Sequence, residues 1–289
     1  MKGLLVINEY YKTSKFDDLY RMILDAFKKK NEAIEIKTNA DLLSVLKRQE
    51  ALPYDYVLFY DKDIALAKHL ENICMLVMNS SETIAVCDDK RLTALALEPT
   101  DIKTPKTIIA PFTYSNIGYS NDSFLDRVTM ELGFPLVMKE ALGSFGQQVY
   151  LIEDEKALKR KFTEISSHSI LFQEFISSSF GRDVRVQIVG NRAVASVLRT
   201  GREGDFRSNV TNGGKMERFS PSKAFIDMAI EACKTVKADF AGVDILFGES
   251  GEPVLCEINS NAHFRNLYDA TGINVADDLA DYVLRKARG

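Results

Sequence analysis

Residues 241–261 read AGVDILFGESGEPVLCEINSN. Two apolar alternating runs, 242–247 and 253–259, flank a polar segment containing Ser250 and Gly251, a pair suited to a two-residue turn. Folding the runs antiparallel about that turn sets Asp244 opposite Glu257, and the period of two puts Asn259 on the same face. Val243, Ile245, Phe247, Val254, Cys256 and Ile258 then supply the opposite, apolar face. Two carboxylates and an amide oxygen are hard donors, the set that Mg²⁺ takes when phosphates and water complete its octahedron. The competing reading is an ordinary hairpin with one solvated polar face.

Working outward, DVRVQIV at 183–189 and RAVASVL at 192–198 flank Gly190-Asn191 as a second hairpin. Between the hairpins, Phe225, Met228, Ala229, Ala232, Cys233 and Val236 mark one helical face. A terminal helix is expected over about 273–286. Arg185 alternates with Asp183 and Gln187, while Arg199 opens the polar segment TGREGDFRSN, which carries Arg207, Ser208 and Asn209. Guanidinium groups clamp phosphate or carboxylate through paired donors, although single surface arginines more often make weak ion pairs.

Upstream, FPLVMKEAL at 134–142 reads as a strand carrying Lys139, followed by the small-residue turn GSFGQQ at 143–148. A helix at 154–165 and a strand at 169–176 complete a βαβ-like segment, after a short strand at 104–110, a loop at 113–123 and a helix at 124–132. Glu174 and Phe175 end that segment at a hinge whose backbone suits the edge of an adenine ring. Neither a Walker A loop nor the dinucleotide fingerprint is present. The first 86 residues alternate strands (3–7, 32–37, 56–60, 82–86) with helices (16–27, 40–50, 66–80), which predicts a small open parallel sheet. Asp88 or Asp89 caps a further helix with Leu92, Leu95, Ala96 and Leu97, stopped by Pro99.

The 289 residues carry 37 Lys and Arg against 41 Asp and Glu, a net charge of −4 that gives no bulk attraction for nucleic acid. Cys74, Cys87, Cys233 and Cys256 are widely spaced in apolar segments, so buried thiols in a cytoplasmic protein are expected rather than a zinc or redox site. No run is long and apolar enough to suggest a membrane span. His69, His168 and His263 have no motif linking them into a nucleophilic triad.

The segments DDKRLTALAL (88–97), LVMKEALGSFGQQVYLI (136–152), FQEFI, GRDVRVQIVGNRAVASVLR (181–199), GDFRSNVTNGG (204–214), AGVDIL and CEINSN together resemble the ATP-grasp superfamily, in particular its RimK-like carboxylate–amine (α-L-glutamate) ligases. The resemblance implies an α/β fold with α+β components: an N-terminal preATP-grasp domain at 1–98, a central lid at 99–176, and a C-terminal catalytic domain with a mixed or antiparallel sheet at 177–289. It implies Lys90 and Lys139 on ATP phosphates, Glu174 and Phe175 at adenine, Asp183 near ribose, and Arg207, Ser208 and Asn209 around the triphosphate. Asp244, Glu257 and Asn259 would hold one or two Mg²⁺ ions, with Mn²⁺ as an alternative. Arg199, with Arg207, would steady the transferred phosphoryl group.

The activity implied is attack of a carboxylate on the γ-phosphate, followed by amide formation with an amine, glutamate being one candidate. A homo-oligomer is also implied. A chain that kept the architecture as an ATP-binding regulator or scaffold is the alternative. The run Asn259-Ser260-Asn261-Ala262-His263-Phe264-Arg265 departs from the small residues and Pro-Gly turn of relatives, and points to a reshaped substrate pocket or to packing against the last helix.

Overall fold

The computed structural model describes all residues except 12, 47–51, 74–75, 144–145, 167 and 209–212, so the expectations for Cys74 and Asn209 lie outside the described residues. The N-terminal sheet is parallel, in the order β2-β1-β3-β4, from β1 (Gly3–Ile7), β2 (Ile34–Thr38), β3 (Tyr56–Phe59) and β4 (Val77–Met78). Helix α1 (Ser14–Lys29) buries Leu19, Tyr20, Ile23 and Phe27 on one side of it, and α2 (Ile64–Ile73) buries Leu66, Ala67 and Leu70. Gly3 lies beneath the ring of Tyr56, where an added Cβ would fall 2.3 Å from Cζ. Gly3→Val is therefore expected to cost about 1–3 kcal/mol, since the fully buried ring has nowhere to retreat. A urea midpoint equal to the parent's would contradict that.

Two expectations fail here. Residues 82–86 form a helix, α3 (Ser81–Asp88), and the fourth strand is Val77–Met78 instead. The β-branched Thr83, Ile84 and Val86 favour a strand locally. The Ser80 side chain nevertheless accepts from the Thr83 amide at 3.1 Å, and a cap satisfying an orphan donor outweighs that weak preference. The helix expected at 40–50 is turn and open chain through residue 46. There the Asp41 carboxylate takes the Thr38 amide at 2.9 Å, closing a local turn that competes with helix.

Helix α4 (Lys90–Leu97) starts where Asp89 accepts from the Arg91 amide, as expected, but buries Thr93 and Leu97 and leaves Leu92 and Leu95 exposed. The lid sheet follows, in the order β5-β8-β6-β7, from β5 (Thr107–Ile109), β6 (Leu136–Glu140), β7 (Val149–Ile152) and β8 (Ile170–Glu174). All its neighbours are antiparallel, so β7 and β8, joined by α6 (Glu155–Ile165), run parallel with β6 between them. Its core face, with Leu136, Met138, Ile170 and Phe172, packs on α5 (Phe124–Leu132) and α6.

The third sheet is antiparallel, β11-β10-β9-β12-β13, comprising β9 (Arg182–Val189), β10 (Arg192–Thr200), β11 (Lys215–Arg218), β12 (Phe240–Phe247) and β13 (Pro253–Asn259). Sequence periodicity gives no sign of β11, because KMER has no apolar alternation. Val184, Val186, Ile188, Val243, Ile245 and Ile258 face α7 (Lys223–Thr235). Helices α8 (Arg265–Thr271) and α9 (Val275–Arg288) close the chain, and Leu267, Leu279 and Val283 share one core with Leu5, Leu19, Phe27 and Tyr60 of the N-terminal sheet layer. The first and last parts of the chain are thus fused by a common apolar core. No helix among the described residues is long and apolar enough to cross a membrane.

Candidate active site

The turn between β12 and β13 is one residue longer than expected. The Gly248 N–H closes it by donating to the Glu252 carbonyl at 2.7 Å, and Gly251 sits at φ +81°, leaving Glu249, Ser250 and Gly251 as a three-residue connection. Register still sets Asp244 opposite Glu257 and Gly242 opposite Asn259. A bulge explains how: Ile245 pairs with Leu255, so Cys256 is the extra residue. The expected apolar face is corrected accordingly. Leu255 joins the core, while the Cys256 thiol lies among Lys139, Glu257, Asp244 and Asp183. Burial, more than any charge, pushes that thiol up to about 11, so it stays protonated at neutral pH.

The polar face of this sheet is not solvated, which removes the ordinary-hairpin reading. Asp183, Gln187 and Asp244 are 4%, 2% and 4% exposed. Arg185 grips Asp244 with Nε on Oδ1 and Nη2 on Oδ2, both at 2.7 Å. Arg199 pairs with Asp183, its Nε 2.7 Å from Oδ1, and its Nη2 also reaches Asp244 Oδ2 at 2.8 Å. Two cations and two anions therefore alternate across β9, β10 and β12 in a buried lattice. Burial opposes the charge on Asp244, but Arg185 and then Arg199 outweigh it and hold the carboxyl below its ordinary range. Burial raises Asp183, against the pull of Arg199.

Asn259 Nδ2 lies 3.4 Å from Asp244 Oδ2, and Glu257 stands 3.9 Å from Lys90 Nζ at the mouth of the cleft. Lys90 also donates to the Gly143 carbonyl at 3.3 Å, tying α4 to the glycine turn of the lid. On the lid side, Lys139 projects from β6 into the same cleft as Lys90, Cys256 and Glu257. It is 9% exposed, and among the described residues its ammonium has no hydrogen-bond or ion-pair partner.

Other expected residues lie elsewhere than the simplest picture puts them. Both oxygens of Asp183 are committed, to Arg199 and to the Ser208 hydroxyl at 2.6 Å, so in this arrangement its carboxylate serves those partners rather than an open ribose position. Arg207 is held by Asp205, with Nε–Oδ1 and Nη2–Oδ2 both 2.9 Å, and donates to the Gly146 carbonyl at 2.8 Å. It thereby links the segment after β10 to Gly146 of the lid. Phe175 packs edge-on against Phe180 and Phe206 in the segment joining lid to catalytic sheet, beside Glu174 at the end of β8. That segment is docked on β12 through Ser178 Oγ and the Phe247 carbonyl at 2.8 Å.

Sequence reasoning missed Gln187 and Cys256 as members of the buried polar face. For Gln187 the signal was available, since it alternates in phase with Asp183 and Arg185. His263 and Arg265 meet the first helix, not the last. His263 Nε2 lies 2.9 Å from the Lys15 carbonyl, its ring edge meets Phe16, and Arg265 pairs with Asp269 and Asp18. Burial keeps the imidazole below its ordinary range.

A RimK-like ATP-grasp domain matches residues 87–283, the span holding Lys90, Lys139, Asp183, Arg185, Arg199, Asp244, Glu257 and Asn259. The chain belongs to the RimK-like ATP-grasp family. Among its relatives, "Uncharacterized protein MG012" of Mycoplasma genitalium is 32% identical over 253 residues, covering 85% of this chain and 87% of that protein. A "Probable alpha-L-glutamate ligase" of Legionella pneumophila is 33% identical over 227 residues, covering 78% of this chain and 72% of that one. A crystal structure of a RimK-domain ATP-grasp protein from Sphaerobacter thermophilus superposes with a TM-score of 0.72 over 98% of this chain and 100% of that one, at 20% identity. As a RimK-like member, the chain is an ATP- and Mg²⁺-dependent ligase that joins a carboxylate to an amine.

Asp244, Glu257 and Asn259 carry the hard oxygen donors that Mg²⁺ takes, and because Arg185 and Arg199 hold both Asp244 oxygens in this arrangement, Mg²⁺ would share them with those guanidinium groups. Among the described residues no three His, Cys, Asp or Glu side chains cluster as ligands, so two carboxylates need the amide oxygen of Asn259 as third donor. Asn259 stands beside Asp244, and Glu257 is opposite it. All three donors are hard oxygens, and a turn of the Asn259 amide presents its oxygen.

Proposed function

We propose that the cleft between the lid sheet and the polar face of β9, β10, β12 and β13 holds ATP, with its phosphates between Lys139, Lys90 and the Asp244, Glu257, Asn259 set. The observation that carries this is Lys139. The Lys139 ammonium faces the cleft with no hydrogen-bond or ion-pair partner among the described residues, and a polyphosphate supplies an anion for it. Lys139→Met is expected to weaken Mg-ADP binding about 10- to 100-fold, the loss of one to two charge-assisted contacts. Titration calorimetry finding parental affinity in that variant would reject the placement.

In the reaction so framed, an oxygen of the substrate carboxylate bonds to the γ-phosphorus as the bond to the β,γ-bridging oxygen breaks, giving an acyl phosphate and ADP. The amine then attacks the acyl carbon, and phosphate leaves. Asp244, Glu257 and Asn259 would hold Mg²⁺, which when bound would neutralise charge on the phosphoryl oxygens. The chain's own contribution is alignment. Arg199 is the group proposed to meet the transferred phosphoryl oxygens, Asp183 fixes its fork, and Arg185 holds Asp244 in place. Lys90 holds the Gly143 carbonyl and Arg207 the Gly146 carbonyl, which ties both elements to the lid beside the cleft.

Glutamate is the amine-bearing substrate proposed first, supported by the likeness to the probable alpha-L-glutamate ligase of Legionella pneumophila. The test is ADP release with paired carboxylates and amines, read with product masses. Glutamate-dependent ADP release with the mass of a glutamyl amide supports the assignment. Release that depends on another amine and not on glutamate would overturn it while leaving the ligase intact.

A further inference from the structure

Two buried oxygens near the proposed Mg²⁺ ligands have no partner. Gln187 Oε1 and Asn261 Oδ1 are closed off from solvent and, among the described residues, accept no hydrogen bond. Folds seldom keep such acceptors, because an apolar side chain of similar shape fills the space without the desolvation cost.

Register sets Gln187 beside the metal set. One row across the polar face runs Arg185, Asp244, Glu257, and the next runs Gln187, Gly242, Asn259. Gly242 brings no side chain to that second row. A Cβ there would fall 2.5 Å from Ala262 Cβ and 3.4 Å from Gln187 Oε1, so the bare backbone of Gly242 is what lets the segment after β13 settle next to Gln187. That segment is pinned on both sides of Asn261. Asn79 Nδ2 donates to the Ser260 carbonyl at 2.9 Å, and the Tyr60 hydroxyl donates to the Ala262 carbonyl at 2.6 Å. Asn261 also belongs to the run in which this chain departs from the small residues and Pro-Gly turn of relatives.

Unpaired acceptors need a donor. Of the groups that react, phosphate and carboxylate bring only acceptors, and the amine alone brings N–H bonds. An ammonium is disfavoured here, since Arg185 Nε lies 3.5 Å from the same point beside Gly242, and the uncharged amine is the form whose lone pair can attack.

We infer that Gln187 and Asn261 form the pocket for the amine substrate, each amide oxygen accepting one N–H of a primary amine that enters uncharged. The inference rests on the placement of ATP and Mg²⁺ proposed above. The terminal amide torsions of Gln and Asn are soft, so a turn of each opens its oxygen to the ligand. Two N–H bonds so held leave the nitrogen lone pair for the acyl carbon, and the proton given up after attack departs with the phosphate.

The test is steady-state kinetics with the carboxylate that supports ADP release in the pairing assay, using glutamate as one amine and hydroxylamine, which has no side chain to recognise, as a second. Gln187→Met and Asn261→Ala are each expected to raise the KM of the reacting amines about tenfold, with kcat and the KM of ATP near parental values. Gln187→Met should also keep or raise the urea midpoint, because it removes an unpaired buried acceptor. An amide with a structural role alone, bonded to internal water, predicts the reverse: a lower midpoint and a parental KM for the amines. That result, or a KM for ATP that rises as much as that of the amines, overturns the inference. Lys139→Met keeps the two readings apart. Parental Mg-ADP affinity in that variant removes the nucleotide placement and the premise for Gln187 with it, whereas weakened Mg-ADP alongside parental amine KM values in the Gln187 and Asn261 variants removes the amine pocket alone.

Discussion

Asp244→Asn is expected to lower turnover by about 10³-fold or more and to destabilise the fold by about 3–5 kcal/mol. Both effects follow from one carboxylate. Its two oxygens hold Arg185 through a pair of 2.7 Å bonds and Arg199 through a 2.8 Å contact, inside a face that is almost wholly buried. Asparagine is neutral and turns an NH₂ toward at least one guanidinium, leaving two buried cations sharing the one charge of Asp183. The same change removes a proposed Mg²⁺ ligand. Urea denaturation measures the first loss, and ADP release below the unfolding range measures the second. Parental stability would mean that the lattice of charges contributes nothing net, and parental turnover would remove Asp244 from the chemistry.

Asn79→Leu is expected to cost about 3–5 kcal/mol, although Asn79 touches no proposed substrate group. Its amide is completely buried between the N-terminal layer and the catalytic sheet. Nδ2 donates to the carbonyls of Phe240 and Ser260, each at 2.9 Å, while Oδ1 accepts the amides of Asp239 at 2.6 Å and Phe240 at 3.3 Å. One side chain thus satisfies the backbone where β12 begins and where the chain leaves β13, immediately after Asn259. Leucine fills the volume and strands four backbone groups away from water, which is the expensive way to lose a hydrogen bond. The thermal midpoint should fall by about 10 °C. A fall of less than about 2 °C would show that those groups find other partners. Asn79→Asp should also destabilise, because a carboxylate would face two carbonyls.

The contrast between these two residues marks what the sequence reveals. Asp244, Glu257 and Asn259 are legible because a period of two and a short turn determine which side chains share a face, and the bulge preserves that relation by absorbing its extra residue at Cys256. The bulge itself is invisible in LCEIN, which alternates acceptably in either register. The hairpin at Gly190-Asn191 is equally legible, with Val189 opposite Arg192. Asn79 is not legible, since its partners are carbonyls and amides about 160–180 positions away. The low exposure of Lys139 belongs to the same class: LVMK predicts its strand, but only the packing around the cleft covers most of its side chain. Residues 82–86 mislead for a local reason, the Ser80 cap, and β11 escapes because an edge strand of charged residues needs no pattern.

The proposed Mg²⁺ site on β12 and β13 is probed best at Glu257, the least entangled of the three proposed ligands, partly exposed and 3.9 Å from Lys90. ADP affinity should be measured with and without Mg²⁺ in the parent and in Glu257→Gln. The account predicts that Mg²⁺ tightens ADP binding at least about tenfold in the parent and far less in the variant. An equal Mg²⁺ effect in both proteins would contradict it.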